Sequence, residues 1–231
     1  MRKLGLLGGM SFESTLTYYR LINERVRQQR GGLHSAELLL YSVDFAQIAQ
    51  LQKNGDWQRA GEVLAQATAA LKAAGADAVV LCTNTMHKVA DAIATELPLL
   101  HIAQATGEAI QAKGLQQVAL LGTAFTMEQA FYRDYLRDHF GLSVLIPEAD
   151  ERAEIHRVIY EELCQGQFLA PSRQRYLQIC QSLISRGAQG IILGCTEIAL
   201  LLPPATTELS VPLFDTTLLH AQGAADWALQ S

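Results

Sequence analysis

The sequence predicts an α/β protein made of two pseudo-symmetric halves, each a parallel sheet covered by helices, and three observations predict it. Short apolar runs alternate with helical patterns along the chain, which is the order that yields parallel strands buried on both faces. Two segments of the first half recur in the second at an offset of 114: Lys3-Leu-Gly-Leu-Leu-Gly8-Gly9 is echoed by Gln117-Val-Ala-Leu-Leu-Gly122-Thr123, and Leu97-Pro98-Leu99-Leu100-His101 by Val211-Pro212-Leu213-Phe214-Asp215. Between them, Gly75-Ala76 through Cys82-Thr83-Asn84-Thr85 and Gly187-Ala188 through Gly194-Cys195-Thr196-Glu197 share one grammar at an offset of 112, which sets Thr83 against Cys195. Three echoes in one order indicate an internal duplication. The lobes are expected at 1–114 and 115–231, with the C-terminal helix free to pack back on the first.

Taken in order, the apolar run at 3–7 is a strand that ends in Gly8-Gly9-Met10-Ser11, followed by a helix over 14–30 that Gly31-Gly32 stops. A second strand covers 37–42. Asp56 then caps an alanine-rich helix reaching Ala74, with Gly75 as its stop. A strand over 78–81 leads into the polar loop, then a short helix over 88–95, a strand over 99–102 and a helix over 103–113 ended by Gly114. The second half is read as strands at 117–122, 143–146 and 190–194, with helices at 149–165 and 172–186.

Composition narrows the function. The chain has 231 residues, 49% of them apolar, and a formal charge of -5, enough to bury a core and unsuited to tracking a phosphate backbone. No nucleic-acid partner is expected. No apolar run approaches the roughly 18 residues of a membrane span, and Met1-Arg2-Lys3 leads straight into a strand, so a cytoplasmic protein without a membrane partner is expected. Cys82, Cys164, Cys180 and Cys195 lack metal or disulfide spacing and read as free thiols, with Cys164 and Cys180 as small hydrophobes in helical patterns. His34, His101, His139, His156 and His220 show no shared ligand spacing, so no metal is assigned. Gly5, Gly8 and Gly9 do not form a dinucleotide fingerprint, and none of the five lysines stands out as a Schiff-base site, so no cofactor is assigned. The faces Leu16/Tyr19/Ile22 and Ile155/Ile159/Leu163 read as core, with a homodimer contact left open.

The two polar loops carry the chemistry. In parallel α/β sheets ligands sit beyond the carboxyl ends of the strands, and both loops fall there. If the halves face one another about a pseudo-two-fold axis, Thr83 and Cys195 reach one small molecule in the cleft from opposite sides. That arrangement suits inversion of a carbon bearing an acidic hydrogen, one group removing the proton and the other supplying one. The substrate carboxylate would be held by N–H groups of Asn84, Thr85, Thr196 and Glu197.

Thr83-Asn84-Thr85-Met86-His87 resembles the Cys-Asn-Thr-x-His motif of the aspartate/glutamate racemase family, and Gly194-Cys195-Thr196-Glu197 resembles its second motif. Gly5-Leu-Leu-Gly8-Gly9-Met10-Ser11 also matches, and the likeness spans the chain, closest to enterobacterial racemases of broad amino-acid specificity. The resemblance implies cofactor-independent racemisation by two bases, Thr83 and Cys195, with Met10, Gln52, Asn84, Thr85, Thr196 and Glu197 around the amino-acid substrate. Thr83 departs from the family's first cysteine, and Cys82 cannot replace it because neighbouring side chains in an extended segment point to opposite faces. A hydroxyl is a far weaker acid than a thiol, which implies a directional or slow enzyme. Gln52 and Cys164 stand where aspartate-selective members carry basic residues, which implies relaxed selectivity, extending to homoserine-sized and other polar amino acids.

Blander assignments stand beside these. Cys195 also reads as a structural thiol, Thr83, Asn84 and Thr85 as helix caps, and His87 as a packing residue that at best orients a neighbour. The sign of Glu197's effect on Cys195 is open, because a carboxylate raises a thiol pKa while a helix N-terminus lowers it. Two other functions remain in view: a decarboxylase or isomerase using Cys195 alone, and an amino-acid-binding protein that has lost its first base.

Overall fold

Local sequence sets most element boundaries in the computed structural model, which describes residues 1–230. Contacts divide the chain into two units, one of Met1–Ile102 with the residues from His220 onward, the other of Ala103–Leu219. The echo boundary at 114 falls inside the second of these.

The first unit opens with β1 (Leu4–Gly8) and α1 (Phe12–Arg30), the helix starting at Ser11, whose hydroxyl accepts from the Ser14 N–H at 3.3 Å, and stopping at Gly31. Next come β2 (Leu38–Ser42) and α2 (Phe45–Asn54), a helix the sequence reading missed although Asp44 caps it and Gly55 ends it in the left-handed region. Asp56 caps α3 (Trp57–Ala73) by accepting from the Arg59 N–H at 3.1 Å. After β3 (Ala78–Leu81) the expected helix at 88–95 is instead a 3-10 turn, Thr85–Val89, running into the single turn α4 (Ala90–Ile93). The strand expected at 99–102 shrinks to β4 (Leu99–Leu100), because the chain already turns helical at Ile102.

The second unit contains α5 (Ile102–Gln111), whose first residue is grouped with the first unit, then β5 (Gln117–Gly122), α6 (Ala124–Glu128), α7 (Ala130–Phe140) and β6 (Ser143–Leu145). Helices α6 and α7 had no counterpart in the sequence reading. The long helix expected at 149–165 ends early as α8 (Ala149–Glu161) and gives way to a 3-10 turn at Leu163–Gln165. Then follow α9 (Ala170–Ser185), β7 (Ile191–Gly194), α10 (Ile198–Leu201), β8 (Leu213–Asp215) and α11 (Thr216–Leu229).

Both sheets are parallel and share one strand order: β2-β1-β3-β4 in the first and β6-β5-β7-β8 in the second. The register repeats as well. Gly5 pairs with Val79, and shifting these by the sequence offsets of 114 and 112 lands on the observed pair Ala119 with Ile191. Val79 pairs with Leu99, and the same offsets give the observed Ile191 with Leu213. The echoes in the sequence are therefore echoes of strand pairing.

Strand alternation feeds two cores in the first unit. Leu7, Val79 and Leu81 face Leu64, Ala67 and Leu71 of α3, while Leu4, Leu6, Val80 and Cys82 face Tyr18, Ile22 and Val26 of α1 and Ala221, Ala224, Ala225 and Ala228 of α11. The alanines recur at i, i+3, i+4 and i+7, so one narrow stripe lets the last helix seat closely. Polar contacts fix it further. Arg25 holds Asp226 through two bonds of 2.8 Å, the Arg2 N–H donates to the Ala228 carbonyl at 2.9 Å, and His220 links Tyr18 to the Leu100 carbonyl through contacts of 2.8 and 2.6 Å.

Because the Leu100 carbonyl can only accept, His220 Nε2 donates to it, and Nδ1 must then accept from the Tyr18 hydroxyl. The ring is neutral, and burial pushes its pKa down to about 4 from an ordinary 6.5. An unfolded chain binds that proton between those values, so the stability is complete above pH 6.5 and falls by roughly 3 kcal/mol as pH drops toward 4. Urea midpoints between pH 7.5 and 4.5 should show this decline. Tyr18→Phe with His220→Leu should remove part of the slope, since His87, also neutral by burial, carries a second part in the same direction.

Candidate active site

A parallel sheet opens a crevice where successive connections leave in opposite directions, and the order β2-β1-β3-β4 puts that point between the carboxyl ends of β1 and β3. The loops Gly8-Gly9-Met10-Ser11 and Cys82-Thr83-Asn84-Thr85 leave from there. Gly9 has φ +93°, and a Cβ there would lie 2.3 Å from the Val43 carbonyl oxygen, so only glycine fits this turn. Its N–H donates to Thr15 Oγ1 at 2.8 Å, which ties the loop to α1.

Thr83 is half-buried, and its N–H reaches back to the Leu81 carbonyl at 2.9 Å. Its own carbonyl lies 2.8 Å from His87 Nδ1. Asn84 and Thr85 are buried at the start of the 3-10 turn. Cys82 points the other way, into the core, where burial pushes its thiol pKa up and leaves it inert. Gln52 is also buried, its amide donating to Met86 Sδ at 3.0 Å, and Met10 lies within the core beside Leu7.

In the second unit the corresponding point lies between β5 and β7, whose ends are brought level by the pair Gly122 and Gly194. A Cβ on Gly194 would come within 2.8 Å of the Leu121 carbonyl oxygen, so the glycine before the cysteine lets the two central strands close up. Cys195 follows, half-buried, and its Sγ donates to Glu197 Oε2 at 3.0 Å. Glu197 is 8% exposed. Thr196 receives a hydrogen bond from the Thr217 hydroxyl at 3.2 Å, and Thr216 ties the strand end through the Leu193 carbonyl at 2.9 Å.

The electrostatics resolve the sign that sequence left open. Burial first, then the negative charge of Glu197 and the neighbouring Cys164 thiol, hold the Cys195 pKa well above its ordinary value. Cys195 is a protonated thiol at neutral pH, with a carboxylate in contact to take the proton. Around it lie groups the sequence reading did not select. Cys164 is pushed up to about 12 by burial and by Glu197, and Tyr160 and Tyr176 are raised by burial and then by Cys195. His156, Tyr160 and Cys164 recur every fourth residue, so the signal was present as one helical face. His156 accepts the Ala124 N–H through Nδ1 at 3.1 Å, just past β5. Among the described residues no group of three His, Cys, Asp or Glu side chains is placed to hold a metal.

Residues 7–224 match the family described as Asp/Glu/Hydantoin racemase. A crystal structure described as a presumptive Asp/Glu racemase, from Yersinia pestis, is 53% identical over 100% of both chains, with a TM-score of 0.93. An aspartate racemase homologue from Pyrococcus horikoshii is 33% identical over 100% of both chains, with a TM-score of 0.85. The aspartate racemase of Picrophilus torridus shares the fold at 18% identity, covering 98% of this chain and 95% of its own, with a TM-score of 0.75.

The Cys195–Glu197 contact predicts a change in thiol reactivity. Glu197→Gln removes a charge that raises the thiol pKa, so the thiolate fraction at pH 8 should rise and alkylation of Cys195 by iodoacetamide should quicken by about tenfold, the equivalent of one pKa unit. Mass spectrometry of the Cys195 peptide measures it, and an unchanged or slower rate would contradict the assignment.

Proposed function

Because the chain belongs to the Asp/Glu/hydantoin racemase family, we propose that it racemises free amino acids without a cofactor, moving a proton at Cα between opposite faces by way of Cys195 and Thr83. The observation that carries this is the Cys195 thiol, half-buried at a strand end with its proton already directed at Glu197. When a substrate ammonium group arrives, Cys195 passes its proton to Glu197 and the thiolate removes the α-proton. The electron pair left on Cα spreads into the substrate carboxylate, which the loop N–H groups of Asn84, Thr85, Thr196 and Glu197 hold. The Thr83 hydroxyl, resupplied from water, then delivers a proton to the other face.

In the reverse sense Cys195 donates readily, but a hydroxyl is a poor base, and a water must complete the step. Enantiomers have equal free energy, so kcat/KM is the same in both directions whatever the residues do. The asymmetry of Thr83 and Cys195 therefore falls on kcat and KM separately. For the side chain of the substrate, neutral Gln52 and the un-ionised Cys164 supply no positive charge, which supports acceptance of neutral polar amino acids beside aspartate and glutamate, with Met10 contributing through the backbone of its loop. The hydroxyl at 83 also favours a second reading, a decarboxylase or isomerase that uses Cys195 alone.

One experiment separates these. Both enantiomers of aspartate, glutamate, homoserine and other polar amino acids are incubated in deuterated buffer, and loss of the α-proton signal is followed by NMR. Deuterium should enter Cα of the intact amino acid with inversion, and Cys195→Ala should lower the rate by about 10²–10⁴-fold. Thr83→Cys should raise kcat in the slower direction. Decarboxylation without exchange would establish the second reading, and turnover of aspartate alone would refute the broad specificity.

A further inference from the structure

His87 lies outside the proton path proposed above, yet both of its ring nitrogens are committed. It is 2% exposed, on the 3-10 turn that follows the Thr83 loop. Nδ1 is 2.8 Å from the Thr83 carbonyl oxygen, and Nε2 receives the Ile102 N–H at 3.2 Å. A backbone N–H can only donate and a carbonyl can only accept, so Nε2 is bare and Nδ1 carries the single proton. A second proton would set N–H against N–H and bury a cation 4.6 Å from the His101 ring and 5.8 Å from that of His220. Burial and those two imidazoles accordingly hold its pKa well below the ordinary value. Charge at His87 is excluded, and what remains is a fixed strut between the end of β3 and the start of α5.

The strut has a directional consequence. In a trans peptide the carbonyl and the following N–H point in opposite directions. Drawing the Thr83 carbonyl toward the buried imidazole turns the Asn84 N–H away from it. The same bond fixes the backbone from which the Thr83 hydroxyl projects. Ser14 does a related job one residue earlier, donating to the Cys82 carbonyl at 3.1 Å, so successive carbonyls of this loop are anchored from different elements.

We infer that His87 is a positioning residue for Thr83, holding the first loop's hydroxyl and amide in register through the Thr83 carbonyl as an obligatorily neutral, Nδ1-protonated imidazole. This rests on the reading that Thr83 serves the substrate, and it separates two rates that a general loss of folding would lower together. Cys195 alone can exchange the α-proton of one enantiomer, whereas inversion needs both loops.

The test compares His87→Leu, which removes both bonds, with His87→Asn, which keeps a donor near the position of Nδ1. Inversion in deuterated buffer should fall by about 100-fold in His87→Leu, the cost of misplacing a reacting group by about 1 Å. Exchange at the face served by Cys195 should change by less than about 3-fold, and His87→Asn should recover most of the inversion. Equal loss of both rates in the two variants, or full inversion in His87→Leu, overturns the inference. A second readout needs no activity: the thiol introduced by Thr83→Cys is alkylated with and without His87→Leu. A shifted rate and pH profile supports the strut even if the wild-type protein racemises nothing, and identical profiles refute it even if the protein is a racemase.

Discussion

Everything functional in this chain depends on where a central parallel strand stops relative to its neighbour. The pairs β1–β3 and β5–β7 each run side by side to a common carboxyl end, and the next residue is Cys82 before Thr83 in one and Cys195 in the other. A shift of one residue would turn Thr83 inward and Cys82 outward, because side chains alternate across a strand. The core prevents it. Val80 and Cys82 are buried against α1 and α11 while Val79 and Leu81 are buried against α3, so both faces vote for the same register. The exposed chemistry of the loop is thus set by apolar packing several residues upstream.

The pair formed by Cys195 and Glu197 shows why burial matters to the reaction. A carboxylate beside an exposed thiol would be weakly felt through water, but here a buried Glu197 accepts the thiol proton at 3.0 Å and the sulfur is kept neutral. The pair holds one proton between two acceptors. Bringing a positive ammonium group beside it favours the thiolate, so the base forms when substrate is present and rests as an unreactive thiol otherwise. Cys82 marks the contrast. Its thiol is also raised by burial, but the core gives it no carboxylate to receive the proton.

What could be read from the sequence follows from which signals are local. Strands made of apolar runs and helices with a capping Asp or Ser and a stopping Gly, such as those begun at Ser11 and Asp56, are written in a few adjacent residues, and the structure has them within about two positions. The segment after Thr85 was misread because a 3-10 turn and an α-helix share composition, and what selects between them here is the distant bond from His87 to Ile102. Helices α2, α6 and α7 were missed although Asp44 and Thr123 cap two of them. The strand echo drew attention away from the segments that differ between halves. The approach of His87, His101 and His220 had no chance of being read from spacing, since it is made by β4 and α11 folding onto one sheet. The helical face of His156, Tyr160 and Cys164 was legible in principle and was assigned to other roles because nothing local ties it to Cys195.

The duplicated loops have diverged in what surrounds an unchanged backbone frame. At the offset of 112, Thr83 aligns with Cys195, Thr85 with Glu197 and His87 with Ala199. The second loop therefore has a carboxylate where the first has a hydroxyl, and the first has an imidazole where the second has a methyl group. Anchoring differs in the same sense: the first loop is held through the Thr83 carbonyl by His87, and the second through side chains, Thr217 on Thr196 and Thr216 on the Leu193 carbonyl. A thiol that must gain and lose a proton needs a partner able to accept it. A hydroxyl that changes protonation state only with the help of water gains more from being held still. The distribution of Glu197 and His87 between the two halves follows that division: charge is placed beside the group that titrates, and a locked neutral ring beside the group that does not.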